Sequence, residues 1–153
     1  MLKMEDVRKI AEWFLSQDSM THKKIQKLCY YAQAWYCTLL DGTPLFKEEI
    51  QAWVHGPVVP ALYPIYADNK WVPISKRDFD ETVFSEQVLN VLKAVYETYG
   101  KFTGDQLESL THSEEPWIQA REGLQPWETS TTPITCESMR KYYSIKYEQA
   151  QND

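Results

Sequence analysis

The sequence predicts a mainly α protein, a compact single helical domain of about six helices with a small β-hairpin inserted after the second helix. Three observations carry this. Apolar residues recur at i, i+3, i+4 and i+7 along most of the chain. Residues suited to capping stand just before several of these stretches. Among them lies one short alternating run that ends in a proline cluster, Ile50 to Tyr66 (IQAWVHGPVVPALYPIY). A length of 153 residues suits one domain, 1–153, with room for a proper core.

Val7, Ile10, Ala11, Phe14 and Leu15 predict a first helix over Met4 to Gln17, broken at Asp18-Ser19. Thr21 is suited to cap a second, longer helix to Leu40, with an apolar stripe of Ile25, Leu28, Cys29, Ala32, Trp35, Tyr36 and Leu39. Asp41-Gly42 ends it. His22, Lys23 and Lys24 in its first turn oppose the helix dipole, which reads as a solvated basic end or as a contact for an acidic partner. Leu45 to Gly56 holds the first strand signal, stopped at Gly56-Pro57, where Pro57 is expected to open a helical turn that Pro60 and Pro64 keep short. Trp71 to Ile74 reads as a second, edge strand. Ser85 is a cap for a helix ending at Gly100, and Thr103 to Gln106 matches a capping box for a short one. Pro116 starts a further helix to Gly123, and Ile134, Thr135 and Met139 look like a staple and cap for a C-terminal helix over 135–149 that frays at its end.

The composition narrows the function. Aromatics reach 14%, more than a core of this size needs, so some are expected half exposed at a protein interface. A net charge of −6 removes the basic footprint of a nucleic-acid binder. Three cysteines, Cys29, Cys37 and Cys136, with no C-x-x-C spacing point to a reducing compartment. The N-terminus turns polar at once and no apolar run has membrane-spanning length, so the expectation is a cytoplasmic protein.

No pattern of catalysis stands out. His22, His55 and His112 are far apart with no helical pairing, so no metal or other cofactor is expected. There is no nucleophile elbow and no phosphate-cradling glycine loop, and the expectation is a non-enzyme. Glu114-Glu115 and Glu48-Glu49 read as solvated surface. The stretch from Thr111 to Arg121 reads as a helix end, a proline restart and a buried Trp117, with His112 donating to a backbone carbonyl to lock the turn.

Three stretches together carry a resemblance: Lys24-Ile25-Gln26-Lys27-Leu28 with Tyr31-Ala32-Gln33 and Trp35; Ala52 to Pro60, AWVHGPVVP; and Leu110-Thr111-His112 with Pro116-Trp117 and Ala120-Arg121. In this order the chain resembles the Panacea domain family, which includes phage-associated GepA-type proteins and SocA-like antitoxins, over residues 4–121. The resemblance implies an antitoxin that neutralises a toxin encoded beside it by direct binding, and that presents it to a cytoplasmic AAA+ protease. It implies no catalytic residues. The toxin-binding residues expected on this reading are Trp53, His55, Tyr63, Lys23, Lys24 and Lys27. Gly56, Pro57, Pro60, Thr111, His112, Pro116, Trp117 and Arg121 are expected to shape the fold. Pro64 departs from a stretch expected to continue as helix, and no helix-turn-helix module precedes the domain, which gives no support to autoregulation on DNA. The alternatives are a phage-associated regulatory protein and a small metal-dependent enzyme using His55 and His112.

Overall fold

The structure, a computed structural model, describes residues 3–152. Its spine is α2 (His22–Leu39), of whose 18 residues 13 are buried. Around it pack α1 (Val7–Leu15), α4 (Glu86–Tyr99), α5 (Gly104–His112) and α7 (Cys136–Asn152), together with the second strand of the hairpin. The four-residue α3 (Tyr63–Tyr66) and the short α6 (Glu115–Ala120) complete seven α-helices among the described residues. The caps expected from the sequence are present: Thr21, Ser85 and Thr103 each accept from a backbone N–H of the first turn, and Thr103 with Gln106 forms the capping box. Thr135 Oγ1 accepts from Ser138 N at the start of α7.

The helix boundaries differ from the periodicity where tertiary pairing competes. α1 begins at Val7 rather than Met4, because Asp6 caps it and Glu5 N donates to Leu45 O at 2.7 Å. α6 ends at Ala120, and α7 runs on to Asn152, so the fraying expected from Gln149 is not seen up to that residue; Asp153 lies outside the described residues.

The hairpin itself is placed differently from the expectation. β1 (Gln51–Trp53) pairs antiparallel with β2 (Gly56–Val58), so the glycine-proline step that was expected to end the strand instead opens its partner. Gly56 has φ +109, which lets the chain double back after Val54-His55. Proline is tolerated in this strand because Ala52 and Pro57, both buried, stand opposite one another as a pair that exchanges no ladder hydrogen bond. Ala52 N donates away from β2, to Thr132 O at 2.9 Å, so the missing N–H of Pro57 costs the ladder nothing. Trp71 to Ile74 forms no strand, only a bridge of Ile74 with Met20. The short α3 follows from Pro60 and Pro64, with a 3₁₀ turn over Pro60–Leu62 before it.

Two glutamines of α2 turn inward and hold loops that have no sheet of their own. Gln33 accepts from Leu45 N at 2.7 Å and donates to Phe46 O at 2.8 Å. Gln26 accepts from Val59 N at 2.8 Å and donates to Val59 O at 3.3 Å. Each amide side chain thereby satisfies backbone groups that burial would otherwise orphan.

Two further readings are corrected. Glu114 is not solvated surface: it is 2% exposed, accepts from Tyr31 Oη at 2.7 Å and Tyr143 Oη at 2.9 Å, and pairs with Lys146 at 3.3 Å. Glu115, in the first turn of α6, is exposed as expected. The cysteines are not three free thiols, and so they do not support the reducing compartment expected from their spacing. Cys37 of α2 and Cys136 of α7 are joined as a disulfide with their Cα atoms 5.9 Å apart, a spacing that suits one, while Cys29 is free and buried. No helix among the described residues is long and apolar enough to cross a membrane.

Candidate functional site: the hairpin corner and its groove

The three sequence stretches that carry the family resemblance meet at the hairpin. From α2 comes Lys27, 1% exposed, whose Nζ donates to Pro57 O at 3.2 Å. Gly56 lies directly on this lysine: a Cβ there would stand 2.8 Å from Lys27 Cε and 3.1 Å from Thr111 Oγ1. The HGP step is therefore shaped by a buried ammonium stem that leaves room for no side chain. Burial pushes the Lys27 amine down to about 7, with Glu108 opposing the shift and Lys23 adding to it.

From the far side, α5 and α6 hold the other strand. Trp117 Nε1 donates to Trp53 O at 2.8 Å, and Arg121 Nη1 donates to Ala52 O at 3.1 Å. Arg121 also donates to the carbonyls of Gln125 and Glu128, which ties down the loop after α6. His112 stacks on Trp117 with ring centroids 3.8 Å apart and the planes 12° apart, and the Arg121 guanidinium covers the Trp117 ring at 5.2 Å. His112 was expected to donate to a backbone carbonyl; its Nε2 instead is buried without a hydrogen-bond partner, and desolvation lowers its pKa. Thr111 Oγ1 donates within its own helix to Glu108 O. Pro116 is buried in the first turn of α6, and Pro60 opens the 3₁₀ turn after β2. Gly56 against Thr111, and Trp117 and Arg121 against the carbonyls of Trp53 and Ala52, are thus the contacts that hold the hairpin, with His112 stacked behind Trp117.

The residues expected to contact a toxin divide into two sets. Lys24 is engaged elsewhere, donating to Gly100 O at 2.6 Å at the end of α4, and Lys27 is interior. Lys24 is therefore half-buried with its ammonium occupied, and Lys27 is out of reach of a partner in this conformation. Trp53, His55, Tyr63 and Lys23 do come together, along a groove of about 260 Å³ with Lys27 at its floor. Trp53 and Tyr63 rings lie 5.3 Å apart. Lys23 pairs with Glu108 at 2.7 Å and Asp105 at 2.8 Å, and His55 Nδ1 reaches Glu108 Oε2 at 3.2 Å. His22 packs edge-on to Tyr63, and desolvation holds its pKa at about 4, so it is neutral near pH 7.

Sequence reasoning missed Glu108, Lys70 and Trp71. Lys70 and Trp71 complete the groove from the turn after α3. Lys70 has φ +53, and the turn is closed by Val72 N donating to Asn69 O at 2.9 Å. The signal was available: Trp71-Val72 is an apolar pair flanked by Lys70 and Pro73 that belongs to no helical stripe. Among the described residues, no three His, Cys, Asp or Glu side chains come together as a metal-ligand group.

The family model described as antitoxin SocA-like, Panacea domain, matches residues 25–118. This chain belongs to that family. The match opens in α2 and closes in α6, and so contains the hairpin and the α5–α6 cradle around it. The Panacea domain is also similar to a curated relative, antitoxin SocA of Caulobacter vibrioides (strain NA1000 / CB15N), at 26% identity over 130 residues, 73% of this chain and 68% of the relative. No solved structure matches it.

Proposed function

We propose that this Panacea domain is an antitoxin that neutralises a cognate toxin by direct protein–protein contact. The observation that carries the reading is the family match over residues 25–118, whose diagnostic stretches all lie around one rigid corner. Rigid backbone next to exposed aromatic rings is what a preorganised binding face requires, because little ordering entropy is lost when a partner docks. The contact face of the proposal is the groove edge bearing Trp53, His55, Tyr63 and Lys23. The partner is a toxin encoded beside this chain, and the interaction takes place in the cytoplasm.

Co-expression of the chain with the product of the adjacent gene tests this. Growth restored together with co-purification of the two proteins is the expected result. A toxic neighbour that stays toxic, with no complex on a sizing column, would overturn it. Delivery to a cytoplasmic AAA+ protease is a separate element of the proposal with its own readout: the half-life of the bound toxin shortens when the chain is present and returns when the protease is deleted.

A further inference from the structure

The two joined cysteines have unequal surroundings. Cys37 lies in the last turn of α2, wholly buried, with its carbonyl taken by Gly42 N at 2.7 Å. Cys136 is the first residue of α7 and is half-buried. It lines a crevice of about 440 Å³ between the loop 46–50 and the start of α7. One sulfur is thus within reach of a small molecule and the other is not. The start of a helix also favours a thiolate, whereas the end of one disfavours it. The side-chain charges nearby are mixed: Glu48 and Glu49 line the crevice with Lys47, Glu137 is exposed, and Arg140 reaches to Asp41 at 3.4 Å. Access, not a cluster of cations, sets Cys136 apart. The third thiol, Cys29, is free and buried, and desolvation pushes its pKa up.

The pair stands where α7 is attached to the helix it covers. The other ties at that end are Thr135 Oγ1 accepting from Ser138 N, Ile134 N donating to Ile50 O at 2.8 Å, and the exposed Arg140–Asp41 pair. Further along, Tyr143 and Lys146 complete the surroundings of the buried Glu114. A covalent bond between the last turn of α2 and the first residue of α7 therefore fixes the element on which that buried charge depends. In a cytoplasmic protein such a bond is as a rule transient, because thiol reductants remove it.

We propose that Cys136 is a hydroperoxide-reactive thiol and Cys37 its resolving partner, so that α7 is latched to α2 under oxidation and released on reduction by a small thiol. The transient character rests on the cytoplasmic part of the function proposed above; the reactivity rests on the pair alone. The Cys136 sulfur attacks one oxygen of hydrogen peroxide. The O–O bond breaks, an S–O bond forms, and the thiol proton leaves with the second oxygen as water. The Cys37 sulfur then attacks Cys136 Sγ. The S–O bond breaks and the hydroxyl departs as water with the Cys37 proton. Two thiols lose two electrons and the peroxide gains them. In the return, one small thiol attacks Cys136 Sγ and Cys37 leaves as the thiol. A second small thiol then frees Cys136 and carries away the small-molecule disulfide.

The full chain, reduced and freed of reductant, is treated with hydrogen peroxide, alkylated and mapped by mass spectrometry. Wild type is expected to lose about 2 Da as the Cys37–Cys136 bond forms, with Cys29 still alkylated after unfolding. Folded Cys37→Ala should hold a sulfenic acid on Cys136 that dimedone captures, and Cys136→Ser should react at least about tenfold more slowly. Excess reduced glutathione should restore both thiols. In limited thermolysin digestion, the oxidised chain should be cut at least about tenfold more slowly than the reduced one, and the variant carrying both substitutions at one rate throughout. Peroxide that oxidises Cys29 or Cys37 first, or leaves the pair reduced, overturns the proposal. So does a bond that excess glutathione leaves intact, or equal digestion of the two forms. Thiol trapping in cells separates the two readings. A pair already oxidised in unstressed cells overturns the cytoplasmic reading and the transient latch with it. A pair that stays reduced after peroxide overturns the latch and leaves the cytoplasmic reading standing.

Discussion

Replacing Gly56 with alanine separates two costs that the hairpin corner combines. Gly56 has φ +109, a region in which a side chain strains the backbone by about 1–3 kcal/mol. The new methyl would also stand 2.8 Å from Lys27 Cε and 3.1 Å from Thr111 Oγ1. The lysine stem is the far end of a flexible side chain, but it is fully enclosed and cannot swing into water. Overpacking of this kind costs a further ~1–3 kcal/mol. Gly123 provides the control, since its φ is +87 and nothing lies within 4 Å of the Cβ position. Gly123→Ala therefore reads backbone strain alone, about 1–2 kcal/mol. Gly56→Ala is expected to cost about 4 kcal/mol, roughly 2 kcal/mol more than the control. Urea unfolding followed by tryptophan fluorescence measures both, and with m near ~2 kcal/mol/M the midpoints should differ by about 1 M. In a Lys27→Ala background the excess at position 56 should disappear. Equal losses at 56 and 123, or an excess that persists without Lys27, would refute the idea that the lysine shapes the corner.

Three other perturbations follow from buried groups. Lys27 holds its proton to about pH 10.5 when unfolded but only to about 7 when folded, so between these values the unfolded chain binds the extra proton and stability rises with pH. A gain of about 1.5 kcal/mol between pH 7 and 8.5, absent in Lys27→Met, is expected from urea midpoints; a flat wild-type profile contradicts it. Glu114→Ala leaves the hydroxyls of Tyr31 and Tyr143 without their acceptor and should cost about 3 kcal/mol, with Glu114→Gln recovering roughly half in the same assay. The Cys37–Cys136 link closes 99 residues of chain, so mass analysis of the alkylated protein before and after dithiothreitol should find one disulfide, and its reduction should lower stability by up to about 4 kcal/mol; alkylation of all three thiols without reductant contradicts it.

Much of this architecture is written in local patterns. The α4 stripe from Val88 to Tyr99, the Thr103–Gln106 capping box and the α2 stripe are one-dimensional signals, and the structure realises them. What the pattern hides is polar burial. Gln26, Lys27, Gln33 and Glu114 belong by type to the surface, and only the loops and hydroxyls that meet them in space explain why they are inside. The same blindness moved the second strand: Trp71-Val72 has strand-like residues, but the partner for β1 is the proline-containing segment two residues away. At the candidate site, Trp53, His55, Tyr63 and Lys23 were identifiable as aromatic and basic groups near a corner. Trp71 and Lys70 join them only because α3 is four residues long and returns the chain to the N-terminal end of α2.

The carboxylate of Glu114 has a consequence for how the chain is made. Two of its partners, Tyr143 and Lys146, lie in α7, and Tyr30 in the middle of α2 also waits for Tyr143. During synthesis, the family-matching region is complete at residue 118, yet it carries a charge destined for burial whose partners have not emerged. The ribosome must release roughly thirty further residues before that charge is neutralised, a delay of about 2–6 s at ordinary rates of elongation. Until then α2 exposes the face that α7 will cover. Closure of the α2 face thus waits for α7, and a chain interrupted before residue 136 would present an open core instead of a finished surface.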